Sequence, residues 1–426
     1  MRESYAKTPV YTGDVSGVAS ALYELGGMVV IHDPSGCNST YNTHDETRWY
    51  DKESLIFISG LAERDAILGN DQKFIEDIIQ AADQFAPKFI AICNSPIPYL
   101  NGTDFKGISH LIEKRTGIPT FYVETNGMHD YVRGAGQAFL AYAEKFLSRA
   151  ERDNTEGRQR SANNADGPKV NLLGMTPLDF AKDSSLDSLQ KSEEEAGYQI
   201  NSVWSMGDHV EGIDRSAEAD LNLVLSAIGY PLAKWLEENY GIPYVCGIPT
   251  HDFREEYFAR VKDALTEGKS QIAYLPSMEE IREEAERTKK QEAEGIHRDH
   301  KVVALVGEPV TMGSFAAGFR KKSLACQNQK DFPNLYFRLI VPLEADPALT
   351  GPMDYRSQGE EETHQAMEAA DLIVGDPLYA PIVPDRAKLC GLPQLAYSGR
   401  IYLPEIPDLF TVDLLEKILA LLLTEE

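Results

Sequence analysis

Short apolar, β-branched runs recur along the chain, each broken by Gly or Pro and followed by segments whose apolar positions return every three or four residues. In residues 1–150, GGMVVIHDPSGC reads as a strand running into a Gly-containing loop, and SLIFISG, PKFIAICNS and PTFYVET read as further strands. FIEDIIQAADQF and ISHLIEKRT read as amphipathic helices between them. This alternation predicts parallel sheets covered by helices. Residues 151–169 are polar, rich in charge, Asn and Gly, and without apolar periodicity, which predicts a linker. Residues 170–277 form a second α/β domain, with KVNLLGM, YQINSVWSM and IPYVCGIP as strands and LNLVLSAIGYPLAKWLEENY as a long helix. The run MEEIREEAERTKKQEAEG is charged on nearly every face and predicts a solvated helix within a connector spanning 278–300. Residues 301–426 repeat the plan in KVVALVGEP, PNLYFRLIVPLE, ADLIVGDP and LPQLAYS, and close with a helix over LLEKILALLL.

Composition narrows the class. At 426 residues the chain exceeds the size of a single core, and its 42% hydrophobic and 25% charged residues are those of a folded globular protein. The 41 basic against 67 acidic side chains give a net charge of −26, which repels nucleic acid and anionic membrane surfaces. With no run near ~20 apolar residues and no apolar leader after the first Met, the expected location is the cytoplasm. Five scattered cysteines do not make a disulfide framework, so each is a reduced thiol or a metal ligand.

Ligands of open α/β sheets collect beyond the carboxyl ends of the strands. Cys37 follows the strand MVVIHDPSG, and Cys93 ends the strand KFIAIC before the turn NSPIPYLNGTD. A lone cysteine at a strand end is ordinarily a small buried hydrophobe, but two in one domain, each in a Gly- and Pro-containing loop, point towards metal. Cys246, Cys326 and Cys390 read as core or surface thiols. His209 after SVWSM and His251 after CGIP are candidate proton donors, and HRDH at 297–300 reads as an exposed turn. GEPVTMGS at 307–314 lacks the spacing of a dinucleotide loop, and there is no Walker A sequence.

These residues also carry a family resemblance. HDPSGC at 32–37, with Gly36 and Cys37, resembles the cysteine loop of nitrogenase component 1 proteins. SGLAERDAILGN, with Glu63, Asp65 and Gly69, is similar to the stretch that follows in the family, and ICNSPIPYLNGTDF, with Cys93, Gly102 and Asp104, to its second cysteine turn. VNLLGM, SVWSMGD, an expected helix through Asn222, Leu223 and Val224, ENYGIPY, and ADLIVGDP with GLPQLAYSGR continue the resemblance in order along nearly the whole chain.

The resemblance implies an α/β fold of three Rossmann-like domains with parallel sheets around a central cleft. It also implies cofactor binding by Cys37, Cys93, Gly36 and Glu63, the last bracing the loop, with His32 tuning a cluster or positioning that loop. Two positions depart from the family: the middle cluster cysteine would fall near Ile56, and the cofactor cysteine at or near Ser226, a poor ligand for a soft metal cofactor. Two cysteines per protomer, doubled by symmetry, suit one [4Fe-4S] cluster shared at the interface of a homodimer or with a related second subunit. The implied activity is a nitrogenase-like reductase, not a nitrogenase, fed by a separate ATP-dependent iron protein and acting on a small organic substrate. The alternatives are a scaffold or carrier for metallocofactor assembly, and a small-molecule binding module of the periplasmic type.

Overall fold

In the computed structural model, residues 5–34, 46–147, 167–277, 280–282, 286, 300–326 and 334–423 are described. Cys37, Gly36, most of the linker, most of the charged run 278–295 and the first three residues of HRDH lie outside them, as does the side chain of Cys326.

The β-branched runs form three sheets built on parallel pairings. The first contains β1 (Met28–His32), β2 (Leu55–Ile58), β3 (Ile90–Asn94) and β4 (Thr120–Tyr122) in the order β2-β1-β3-β4. The second contains β5 (Lys169–Met175), β6 (Gln199–Ser205), β7 (Leu221–Val224), β8 (Tyr244–Cys246) and β9 (Gln271–Ile272) in the order β6-β5-β7-β8-β9. In the third, β10 (His300–Val306), β11 (Asn334–Val341), β12 (Tyr355–Arg356), β13 (Leu372–Gly375) and β14 (Lys388–Gly391) run β12-β11-β10-β13-β14. The chain divides into two compact units, one of residues 11–222 with 228–243 and one of residues 1–10, 223–227 and 244–426. No described helix is long and apolar enough to cross a membrane.

In the first unit the amphipathic pattern works as read. Phe74, Ile75, Ile78 and Ala82 form the buried stripe of helix Asp71–Phe85, and Phe105, Ile108 and Ile112 that of helix Phe105–Thr116. Both stripes pack on Met28, Val30, Ile90 and Ile92, one face of the first sheet. Helix Phe105–Thr116 begins where it does because Asp104 Oδ1 accepts from Gly107 N at 2.9 Å, a cap contributing about 1 kcal/mol, and it stops at Gly117 in the left-handed region. The other face meets helix Asp14–Leu22, which crosses helix Tyr131–Phe146 at two glycines. A Cβ on Gly17 would strike the Tyr131 carbonyl, and one on Gly134 the Asp14 carbonyl. The two helices therefore approach backbone to backbone.

Two expected elements are different. Leu221–Val224 is the buried strand β7, not the start of a helix; the helix begins only at Tyr230 and ends at Tyr240. The continuous apolar run hides the change, because a four-residue buried strand has no periodicity to separate it from a helix. LPQLAYS is not a strand either: Leu395–Ser398 is a single helical turn, and the edge strand is β14 over KLCG.

Candidate functional site

The order β2-β1-β3-β4 places a topological switch between β1 and β3, since the chain leaves β1 to one side and later resumes on the other. The crevice beyond the carboxyl ends of such a pair is where open sheets take ligands. Cys93 is on β3 directly opposite Ile31 of β1, and His32 is opposite Asn94. Cys37 lies outside the described residues, five positions after His32, the last residue of β1.

Cys93 is fully buried on the face that carries Ile31, the side of helix Asp14–Leu22. Burial, reinforced by the neighbouring Asp14 carboxylate, pushes its thiol far above the ordinary range. Asp14 accepts from Asn126 N at 2.9 Å and Gly127 N at 3.0 Å, joining the helix N-terminus to the turn after β4. Burial also raises Asp14, opposed by these N–H donors and by Val15 N at 2.8 Å. Two residues beyond Cys93, Ser95 Oγ is buried with no hydrogen-bond partner among the described residues. A sulfur at the switch point, a paired carboxylate and an unpaired hydroxyl fit a site for an iron–sulfur group, whose positive iron would replace the thiol proton.

His32 stands on the opposite face from Cys93. Its Nδ1 lies 2.8 Å from Ser59 Oγ, and its ring lies 4.0 Å from Phe74 centre to centre. Burial lowers it to about 4, so it is a neutral core imidazole. These contacts suit positioning of the loop start rather than tuning of a group at Cys93. Glu63 is exposed in the first turn of helix Glu63–Leu68, and the loop it was expected to brace lies outside the described residues.

The far end of that loop is anchored by a residue that nothing in the linear pattern singles out. Arg48 is buried, donates to Glu24 Oε1 at 2.8 Å, Glu46 Oε1 at 2.8 Å and the Ser20 carbonyl at 2.9 Å, and lies over the Tyr23 ring. An arginine with acidic residues at these spacings is indistinguishable from surface charge until the chain folds.

His209 is exposed at the head of the short helix Val210–Ile213, with its backbone N–H on Asp208 Oδ1. His251 follows β8, half exposed, with Nδ1 2.8 Å from Asp252 Oδ1. Ile56 is in the middle of β2 opposite Val29, and Ser226 is buried just after β7. The turn holding Ser226 is fixed by Glu308, which accepts from Ala227 N at 2.9 Å. Glu308 also accepts from Val310 N and Thr311 N at the head of helix Pro309–Cys326. Its carboxylate occupies the helix N-terminus that a nucleotide phosphate would need, which is the physical counterpart of the missing dinucleotide spacing. Cys246 and Cys390 are buried, with thiols raised by burial, as expected of core residues. A cavity of about 200 Å³ lined by Arg260, Tyr274 and Arg320 lies in the other unit from Cys93 and is smaller than the ~300 Å³ of typical small-ligand sites.

Several known proteins resemble the chain. It is 23% identical over 219 residues to the nitrogenase iron-molybdenum cofactor biosynthesis protein NifE of Methanosarcina barkeri, covering 51% of this chain and 46% of that protein. It is 23% identical over 276 residues to a light-independent protochlorophyllide reductase subunit of Prosthecochloris aestuarii, covering 63% and 48% respectively. The corresponding Bradyrhizobium protein is 28% identical over 258 residues, covering 56% and 46%. The chain thus matches about half the length of these relatives. A solved structure of nitrogenase Cp1 at pH 6.5 shares the fold, with a TM-score of 0.54 and 16% identity over 91% of this chain and 70% of that one. The sequence profile of the nitrogenase component 1 type oxidoreductases matches residues 16–322, most of the length, and on that match the chain belongs to this family.

Proposed function

We propose that the protein is a nitrogenase-like reductase subunit in which Cys93 and Cys37 hold part of a [4Fe-4S] cluster shared between two protomers. The observation that carries this reading is the position of Cys93 at the β1/β3 switch point, beside the strand whose following loop bears Cys37. When bound, the cluster would supply one-electron relay between a separate ATP-dependent iron protein and a small organic substrate. The protein's own residues have separate tasks. Cys93 would hold iron as its thiolate, Asp14 ties the helix terminus to the turn after β4 beside it, and Gly36 is the proposed turning point next to Cys37. His209 and His251 are the proposed proton donors, and Glu63 is the proposed brace of the cysteine loop.

Exposed apolar side chains support the shared interface. Ile67 and Leu68 follow β2, Ile97, Tyr99 and Leu100 follow β3, and Met128 follows β4. Asn101 Nδ2 ties two of these segments together through the Ala66 carbonyl at 3.1 Å. An apolar rim of this kind suits a second protomer. Ile56 and Ser226 argue against nitrogen fixation, since neither offers a thiolate where the family is expected to use one.

Anaerobically purified protein is expected to be brown, with about four irons per dimer. Cys37→Ala and Cys93→Ala should each abolish most of that iron, and unchanged iron in both would refute the assignment. A scaffold for metallocofactor assembly is the second reading, favoured by the likeness to a cofactor biosynthesis protein and by the serine at 226. Turnover with a reducing partner supports the reductase, and stoichiometric cofactor release without turnover supports the scaffold.

A further inference from the structure

We propose that His251, Asp252 and Asp413 form a site for one divalent transition-metal cation, independent of the cysteines. All three belong to the unit containing residues 244–426. One potential ligand atom from each lies within 4.8 Å of the other two. Atoms bound ~2.0–2.2 Å from a tetrahedral ion stand roughly 3.3–3.6 Å apart, so a side-chain movement of up to about 1.5 Å closes the set. His251 is 49% exposed and can make that movement.

The framework beneath it is fixed. The Thr250 carbonyl accepts from Phe253 N at 3.1 Å and Arg254 N at 2.9 Å, which shapes the turn after β8. Helix Pro309–Cys326 backs this turn through Gly318, where a Cβ would meet Asp252 Cβ at 2.8 Å. Asp252 is thereby held with only 4% of its side chain exposed. Asp413 arrives from the start of helix Leu414–Leu423, where it accepts from Glu416 N at 3.3 Å.

Asp252 already has a cationic partner, since the Lys322 ammonium is seated on its Oδ1. A buried carboxylate requires such a partner. Two carboxylates and one ammonium still leave these side chains with a net negative charge, which a divalent ion would take up while displacing the flexible lysine. One imidazole and two carboxylates suit zinc or manganese, with water completing the coordination. A metal-bound imidazole no longer exchanges protons, so occupancy would leave His209 as the proton donor of the pair.

The test is titration of the chelator-treated, full-length protein with Mn²⁺, read by electron paramagnetic resonance of the free ion. Manganese prefers oxygen and imidazole to thiolate, so the result does not depend on Cys37, Cys93 or iron loading. One saturable Mn²⁺ per chain is expected. Asp413→Asn and His251→Ala should each weaken it by more than the roughly tenfold that loss of an outer-shell partner costs. Lys322→Met should tighten it by about two- to fivefold, the worth of an exposed ion pair, and misfolding cannot mimic a gain. Absence of saturable binding in both the parent and Lys322→Met, or equal affinity in Asp413→Asn, overturns the site.

Discussion

At the scale of single residues, the strand position of Cys93 was legible and its surroundings were not, while Cys37 lies outside the described residues. Cys93 stood out because a β-branched run ends on it, and the structure puts it at the end of β3. Asp14 carried no signal, since its proximity to Cys93 exists only once the helix packs on the sheet. His32 was readable as a loop residue, but its burial depended on aromatic residues 42 and 73 positions later in the chain, at Phe74 and Phe105. That burial has a measurable consequence. The folded His32 titrates near 4 and the unfolded one near the ordinary imidazole value of 6.5. Between those values the unfolded chain binds the extra proton, so stability is full above pH 6.5 and falls as the pH drops towards 4. Urea denaturation should show a loss of about 3 kcal/mol from this group across the window, and His32→Phe should flatten that part of the profile. An unaltered slope in the variant would show that the acid loss originates elsewhere.

At the scale of elements, long periodic helices were readable, and so were short strands bounded by Gly or Pro such as β2, β4, β8 and β13, whereas pieces inside a continuous apolar run were decided by tertiary packing. β7 lies in an apolar run that continues into a helix, and only pairing within the sheet makes its four residues extended. The crossing of helices Asp14–Leu22 and Tyr131–Phe146 was likewise hidden, because Gly17 and Gly134 look like ordinary helix-weakening glycines. Gly134→Ala sets two effects against each other. Alanine gains about 1 kcal/mol of helix propensity, while overpacking against a backbone carbonyl costs ~1–3 kcal/mol. The obstructing neighbour is main chain and cannot swing aside, so the collision should win by up to about 2 kcal/mol, seen as a lower Tm. A Tm equal to the parent's would mean that the helices separate without penalty.

At the scale of the whole molecule, the parallel-sheet class was legible from the repeated run-and-break pattern, and the family match extends over residues 16–322. The exposed apolar rim proposed as the partner surface was not legible, because its side chains are separated in sequence and are assembled by the carboxyl edge of the first sheet. If that rim joins two protomers, Leu100→Asp combined with Ile67→Asp should convert a dimer into a monomer in light scattering while the circular dichroism spectrum is retained. A dimer that survives both changes would move the interface to another face. The net charge of −26 and the carboxylate of Asp14 beside Cys93 also bear on electron energetics. Negative charge next to a ligand sulfur disfavours the addition of an electron, so a cluster held at Cys93 would have a lowered reduction potential. It would be hard to reduce and, once reduced, ready to pass its electron on.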